Sequence, residues 1–251
     1  MKAYVFGLAV AVGCSVAART AQAAPEDDGW SGEGSLSAGI TTGNTDTSDV
    51  GVGLKAAYQS GLWKNSGEFR FDYAQQDDEE SKNRIYGAYQ LDRILSERAF
   101  AFARSSFERD EFSGFDSRIF IGGGLGYKVI DNTSTNWELQ GGPGLKIDDI
   151  EARPATLTSP AVAGGVKNSI GAQLNSAFQH SFNENVSFSN DTELLYADVS
   201  TQVSNEVALT AKVSKRLSGR FSFEVRYETD PPVDRKDTDT ATRFSLVYGI
   251  Q

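Results

Sequence analysis

The sequence predicts an all-β fold, an antiparallel transmembrane β-barrel of about twelve strands, and three observations carry that expectation. Apolar residues recur at every second position along most of the chain, the period of a strand with one apolar face. The alternating segments run about ten to fourteen residues, against roughly five or six for a soluble strand and nine to eleven for a tilted membrane strand. The connections alternate between short and long, which gathers tight turns on one rim and loops on the other.

In chain order, Trp30, Gly32, Gly34, Leu36, Ala38 and Ile40 share one face, opposite Ser31, Glu33, Ser35 and Ser37. Val50, Val52, Leu54, Ala56 and Tyr58 then oppose Asp49, Lys55 and Gln59, and Phe69, Phe71 and Tyr73 oppose Glu68, Arg70 and Asp72. Segments 84–94 and 99–109 alternate more weakly, and the face of the second cannot be assigned. Further on, Ile119, Ile121, Leu125, Tyr127 and Val129 oppose Arg118 and Lys128, and Trp137, Leu139, Leu145 and Ile147 oppose Glu138, Gln140 and Lys146. Ile170, Ala172, Leu174 and Phe178 oppose Gln173, Asn175 and Gln179; segment 186–197 is again weaker. Val203, Val207, Leu209 and Val213 oppose Glu206, Thr210 and Lys212; Phe221, Phe223, Val225 and Tyr227 oppose Glu224, Arg226 and Glu228; Phe244, Leu246, Tyr248 and Ile250 close the chain. Pro143, between Gly142 and Gly144, removes a ladder hydrogen bond in mid-strand, and a bulge or bend is expected there.

A soluble sandwich also alternates, so the loops matter. The short connections are 61–65, 95–98, 131–135, 181–185 and 217–220; the long ones include 75–83, 110–116, 148–167 and 230–239. With a periplasmic amino terminus, short turns face the periplasm and long loops the exterior. The polar face carries charges among Gly, Ser and Ala, as a crowded, wet lumen requires.

Residues 1–23 read as a signal peptide: Met1 and Lys2, an apolar stretch over 3–18, then Ala21-Gln22-Ala23 before cleavage at Ala24. A competing reading takes Ala11-Val12-Gly13-Cys14 as a lipoprotein box. Residues 24–251 then form the barrel, without cysteine, and loss of Lys2 and Arg19 takes the net charge from −10 to −12. After residue 24 no apolar run reaches the ~20 residues of a membrane helix. One Cys and one His cannot build a zinc site or a disulfide framework. The acidic balance, 34 Asp and Glu against 24 Lys and Arg, excludes nucleic acid as a partner. Export without disulfides points to a Gram-negative envelope.

Several motifs carry a family resemblance. Trp30-Ser31-Gly32, the run Thr41 to Thr47, Phe107-Glu108-Arg109-Asp110, Gly114 to Arg118 and the Gly122 to Tyr127 strand resemble the DUF481 family. So do Tyr227-Glu228, Asp230-Pro231-Pro232, Thr238-Asp239-Thr240 and Leu246-Val247-Tyr248 in the closing hairpin. The resemblance implies a salt-induced, porin-like outer-membrane barrel with no established chemistry. Its partners would be outer-membrane lipid, lipopolysaccharide and the barrel-assembly machinery, with small ions or solutes as cargo. The end departs from this type: Gly249-Ile250-Gln251 stands where an aromatic residue is read by that machinery.

Candidate sites are few. His180 falls beside the 181–185 turn, on the periplasmic rim, away from where barrel proteases and phospholipases place their histidine. Asn44, Asp46, Ser48 and Asp49 resemble a calcium loop but lack its sixth-position Gly and have Lys55 where a bidentate Glu belongs. The 122–126 glycines fit strand curvature or close lumen packing better than a phosphate loop. Asp77, Asp78, Glu79 and Glu80 form an acidic run in an expected external loop, a solvated rim or else carboxylates sharing Mg²⁺ or Ca²⁺ with lipopolysaccharide phosphates.

The lumen-facing candidates are Glu33, Lys55, Glu68, Arg70, Asp72, Arg118, Lys128, Glu138, Lys146, Lys212, Glu224, Arg226 and Arg243, joined on the same parity by Asp49, Arg84, Asp92, Asp191, Glu193, Glu206 and Glu228. Near balance of sign favours cross-strand ion pairs that brace the interior. The expectation is a non-enzymatic barrel without a cofactor, structural or stress-responsive, or a narrow channel. The alternatives are a barrel enzyme centred on His180 and a soluble periplasmic β-sandwich that binds a ligand.

Overall fold

A computed structural model describes residues 29–42, 47–76, 79–111, 113–155, 161–198, 200–231 and 236–250. The expected signal peptide lies outside these residues. The described chain forms twelve strands: β1 (Gly29–Thr42), β2 (Thr47–Ser60), β3 (Trp63–Gln76), β4 (Glu79–Ile94), β5 (Ala99–Asp110), β6 (Phe115–Asp131), β7 (Thr135–Ile150), β8 (Gly165–Ser181), β9 (Val186–Ala197), β10 (Gln202–Lys212), β11 (Leu217–Glu228) and β12 (Thr238–Ile250). Each pairs antiparallel with its sequence neighbours, and β1 closes on β12 with Leu36 opposite Leu246. Closure leaves no sheet edge, as hydrocarbon demands of any strand that crosses it. It also excludes the sandwich.

The distribution of polarity is inverted relative to a soluble protein. Ile170 is 76% exposed and Leu125 65%, while Lys146 is 2% exposed and Asp49 3%. Water would penalise such an exterior heavily, and a bilayer favours it. The pairing register climbs from strand to strand, and one circuit of the barrel returns to β1 about 16 residues further along, which is its shear. At a rise of ~3.3 Å and a strand spacing of ~4.8 Å, that stagger over twelve strands gives a tilt of about 43° and a backbone radius of roughly 13 Å. With the same tilt, Trp63 and Tyr73 on β3 stand about 24 Å apart along the axis, close to the apolar band of an outer membrane. Aromatic residues mark the turn rim: Trp30 packs on Tyr58 at 4.9 Å between ring centroids, and the Arg93 guanidinium lies 5.4 Å over Trp63.

Turns on that rim share one device. Asn132 Oδ1 accepts the N–H groups of Ser134 and Thr135, and Asn183 Oδ1 those of Asn185 and Val186. Ser96 and Ser214 do the same with their hydroxyl oxygens. Gly61, with φ of 55°, makes the tightest turn.

Two expectations need correction, and one face left open is assigned. Residues 75–76 and 79–83 are strand rather than parts of a long loop: β3 runs to Gln76, β4 starts at Glu79, and the pairing continues past a register shift between Ala74 and Gln75. The truly long connections are 151–164 and 229–237. At Pro143 there is no shift of register; the β6–β7 ladder is interrupted opposite Gly123 and Gly124 and resumes in phase. The strands approach so closely there that a Cβ on Gly142 would collide with the Gly123 carbonyl, and one on Gly124 with that of Gly141. On β5, Phe100, Phe102 and Arg104 point inward and Phe107 outward. The face was unreadable because interior phenylalanines erase the contrast. Those rings have room because glycine lies beneath them: Phe100 covers Gly126, and Phe120 covers Gly122 and Gly144.

Gly142→Val should lower folded stability by about 1–3 kcal/mol through overpacking, whereas Gly34→Ala, with open space around its Cα, should stay within about 0.5 kcal/mol. Urea unfolding in detergent micelles, followed by tryptophan fluorescence, measures both.

Candidate functional site in the lumen

The inward parity of twelve strands converges on one cylinder, and long side chains from opposite walls can meet across it. Arg243 on β12 is one node. It lies 2.7 Å from Glu224 on β11, 3.7 Å from Asp49 on β2 and 3.7 Å from Asp72 on β3. Lys82 joins Asp49 at 3.4 Å and donates to Thr41 Oγ1 at 2.8 Å. Small residues opposite make the room: a Cβ on Gly51 would press on Asp72 Oδ1 and Ser37 Oγ.

A second node ties the loop rim. Arg118 on β6 donates to Glu228 on β11 at 2.7 Å and lies 3.8 Å from Asp148 on β7. Lys146 pairs with Asp148 at 2.9 Å, and Ser200 donates to Glu228 at 2.7 Å. Between these nodes the lumen is crossed directly. Arg104 on β5 reaches Glu193 on β9 at 3.1 Å and the Tyr86 hydroxyl at 3.0 Å. Glu108 on β5 receives Arg84 at 2.6 Å and Arg226 from β11 at 3.5 Å. Toward the turn rim the Gln90 and Gln140 amides pair across the barrel at 2.9 Å, and Arg220 grips Glu33 with two bonds of 2.8 and 2.9 Å.

What remains open is a cavity of about 260 Å³, reaching from Lys55, Glu68 and Glu138 to Pro231 and Asp239 at the loop rim, with pockets of about 70 and 50 Å³ beside it. Water and small solutes fit such a space.

The predicted lumen residues fall into two overlapping groups, with Glu68, Lys146 and Glu224 in both. Glu33, Glu68, Asp72, Lys146, Glu224 and Arg243 are buried, and Lys55, Arg70, Arg118, Glu138 and Arg226 line the large cavity. Lys128 and Lys212 stand at strand ends on the turn rim, Lys128 paired to Asp131 at 2.9 Å. Five members were missed, each for a stated reason. Arg104 and Glu108 sit on the strand whose face was unassigned, Lys82 and Asp148 in segments read as loop, and Arg220 in a segment read as turn.

Asp49, considered for a calcium loop, is instead engaged inside the wall with Thr41, Lys82 and Arg243; residues 43–46 lie outside the described set. Asp77 and Asp78 lie outside it as well, and Glu80 is exposed at the start of β4. His180 is at the end of β8, its Nδ1 2.8 Å from Thr135 Oγ1 and its ring edge-on to Phe182 at 5.0 Å, set among rim aromatics and not among the residues lining the cavity.

The chain matches the family described as a protein of unknown function, DUF481, over residues 34–250. Among solved structures it resembles the NanC porin at a TM-score of 0.54 and 11% identity, over 86% of this chain and 100% of that one. An outer membrane channel from Pseudomonas putida F1 aligns at 0.51 and 10% identity, over 94% and 100%. The translocator domain of the autotransporter NalP from Neisseria meningitidis aligns at 0.51 and 8% identity, over 87% of each chain. At these identities the likeness is one of fold. No curated protein matches.

Removing one partner from a buried ionic cluster leaves the others uncompensated. Arg243→Met should therefore destabilise the barrel by about 3–5 kcal/mol, and adding Glu224→Gln should recover part of the loss. Urea midpoints of the single and double variants measure this.

Proposed function

The chain belongs to the DUF481 family, and from that premise and the lumen just described we propose that it is a non-enzymatic outer-membrane barrel serving as a narrow, side-chain-braced conduit for small ions or solutes. Residues 1–23 direct export, the turn rim faces the periplasm, and the 151–164 and 229–237 loops face outward. One observation supports this reading above the rest: a closed wall with an apolar exterior surrounds a charged interior whose cavity of about 260 Å³ extends to the loop rim. A wide diffusion pore would hold its lumen open, whereas here Arg104–Glu193 and Arg226–Glu108 cross it. Conduction would be small and limited by those crossings. A structural or stress-responsive envelope role is the second reading, favoured by the same bridges, since they brace opposite walls.

Single-channel recording on the refolded barrel, with a heat-modifiable gel shift confirming folding, separates the two. Steady small conductance is expected, and the double variant Arg104→Ala with Glu193→Ala should raise it. A folded, silent barrel would favour the structural role.

A further inference from the structure

We propose that the lumen is cation-selective and that Asp191 and Glu206, with Glu138 nearer the turn rim, set the preference; this rests on the conduit reading and names the ion class that passes. The charges of the cavity do not neutralise one another completely. Every lysine and arginine that the strands contribute to the large cavity has a carboxylate within 4.0 Å. The converse fails. Glu138, Asp191 and Glu206 line the same cavity, and none has a base within 4.0 Å among the described residues.

The surplus is also confined to one side. Residues 168–211 contain no lysine or arginine, and that stretch supplies nearly all of β8, β9 and β10. A quarter of the wall therefore carries carboxylates with no local base, and the cation that reaches Glu193 there, Arg104, comes from β5 across the lumen. Asp191 lies directly opposite Glu206 in the β9–β10 register, and Glu206 opposite Glu224 in the β10–β11 register. Glu224 is met by Arg226 and Arg243; the other two face each other without a base within 4.0 Å, and Lys55, Arg70 and Arg220 act on them only from further off. Like charges directly across a strand pair are destabilising, so a mobile counterion at this point is favoured. In a narrow passage with low-dielectric walls, uncompensated charge of one sign raises the local concentration of the opposite ion and sets selectivity. The arginines opposite do not reverse this, because each is already held by a carboxylate.

The test is the reversal potential of the refolded full-length barrel in planar bilayers under a KCl gradient. The wild type should reverse on the cation-selective side, and Asp191→Asn with Glu206→Gln should move it toward zero, each single variant part of the way. Glu97→Gln, on an exposed turn, should leave it unchanged. Steady conductance with an anion-selective or unselective wild type, or with a reversal potential that the double variant does not move, would overturn the inference while leaving the conduit intact. Folded barrels without conductance would overturn the conduit reading and this inference with it. Both substitutions preserve side-chain volume and relieve a like-charge contact, and the gel shift verifies that each variant has folded.

Discussion

Everything in this structure follows from the requirement that backbone hydrogen bonds be completed inside hydrocarbon. A lone strand cannot meet it, and an open sheet leaves two edges unpaired, each orphaned group costing several kcal/mol. Twelve strands meet it by joining β1 to β12. Once the wall is closed, strand number and stagger leave no freedom in radius. The interior is then a cylinder of fixed width that the inward half of the sequence must fill.

A backbone radius of roughly 13 Å leaves an opening that arginines and glutamates from facing walls can span. The pairs Arg104–Glu193 and Arg118–Glu228 therefore join strands far apart in the chain, while Arg243 draws three acidic strands together. Such pairs gain their Coulomb energy only where geometry supplies partners for most of their donors and acceptors. The glycines and serines of β1 and β2 perform the complementary task, since a longer side chain at Gly51 would press on Asp72. Charge placement and residue size act together.

Much of this was legible beforehand. The parity of β1, β2, β3, β11 and β12 could be read directly because the large apolar residues of these strands mostly fall on the outward parity and the charged and small ones on the inward. Legibility failed where that contrast failed. β5 carries Phe100 and Phe102 inside, so its periodicity names no face, and Arg104 and Glu108 were lost with it. Polar ends of long strands, such as the β3–β4 hairpin, read as loop because residues beyond the bilayer gain nothing from alternation. The unequal distribution of charge around the wall could not emerge from a tally of lumen parity. The absence of lysine and arginine over 168–211 stands in the sequence, but which arginines reach across to that side does not.

The inward phenylalanines also shape the space left for water. Phe100, Phe102 and Phe120 belong to the adjacent strands β5 and β6, and the rings of Phe100 and Phe120 lie over glycines of β6 and β7. On the turn side of that sector Phe100 and Phe102 stand buried, while further toward the loops Arg104, Glu108 and Arg118 of the same strands line the cavity. Toward the turn rim, carbon rings therefore occupy one side of the cylinder, and the polar path out of the cavity in that direction is displaced toward the facing wall.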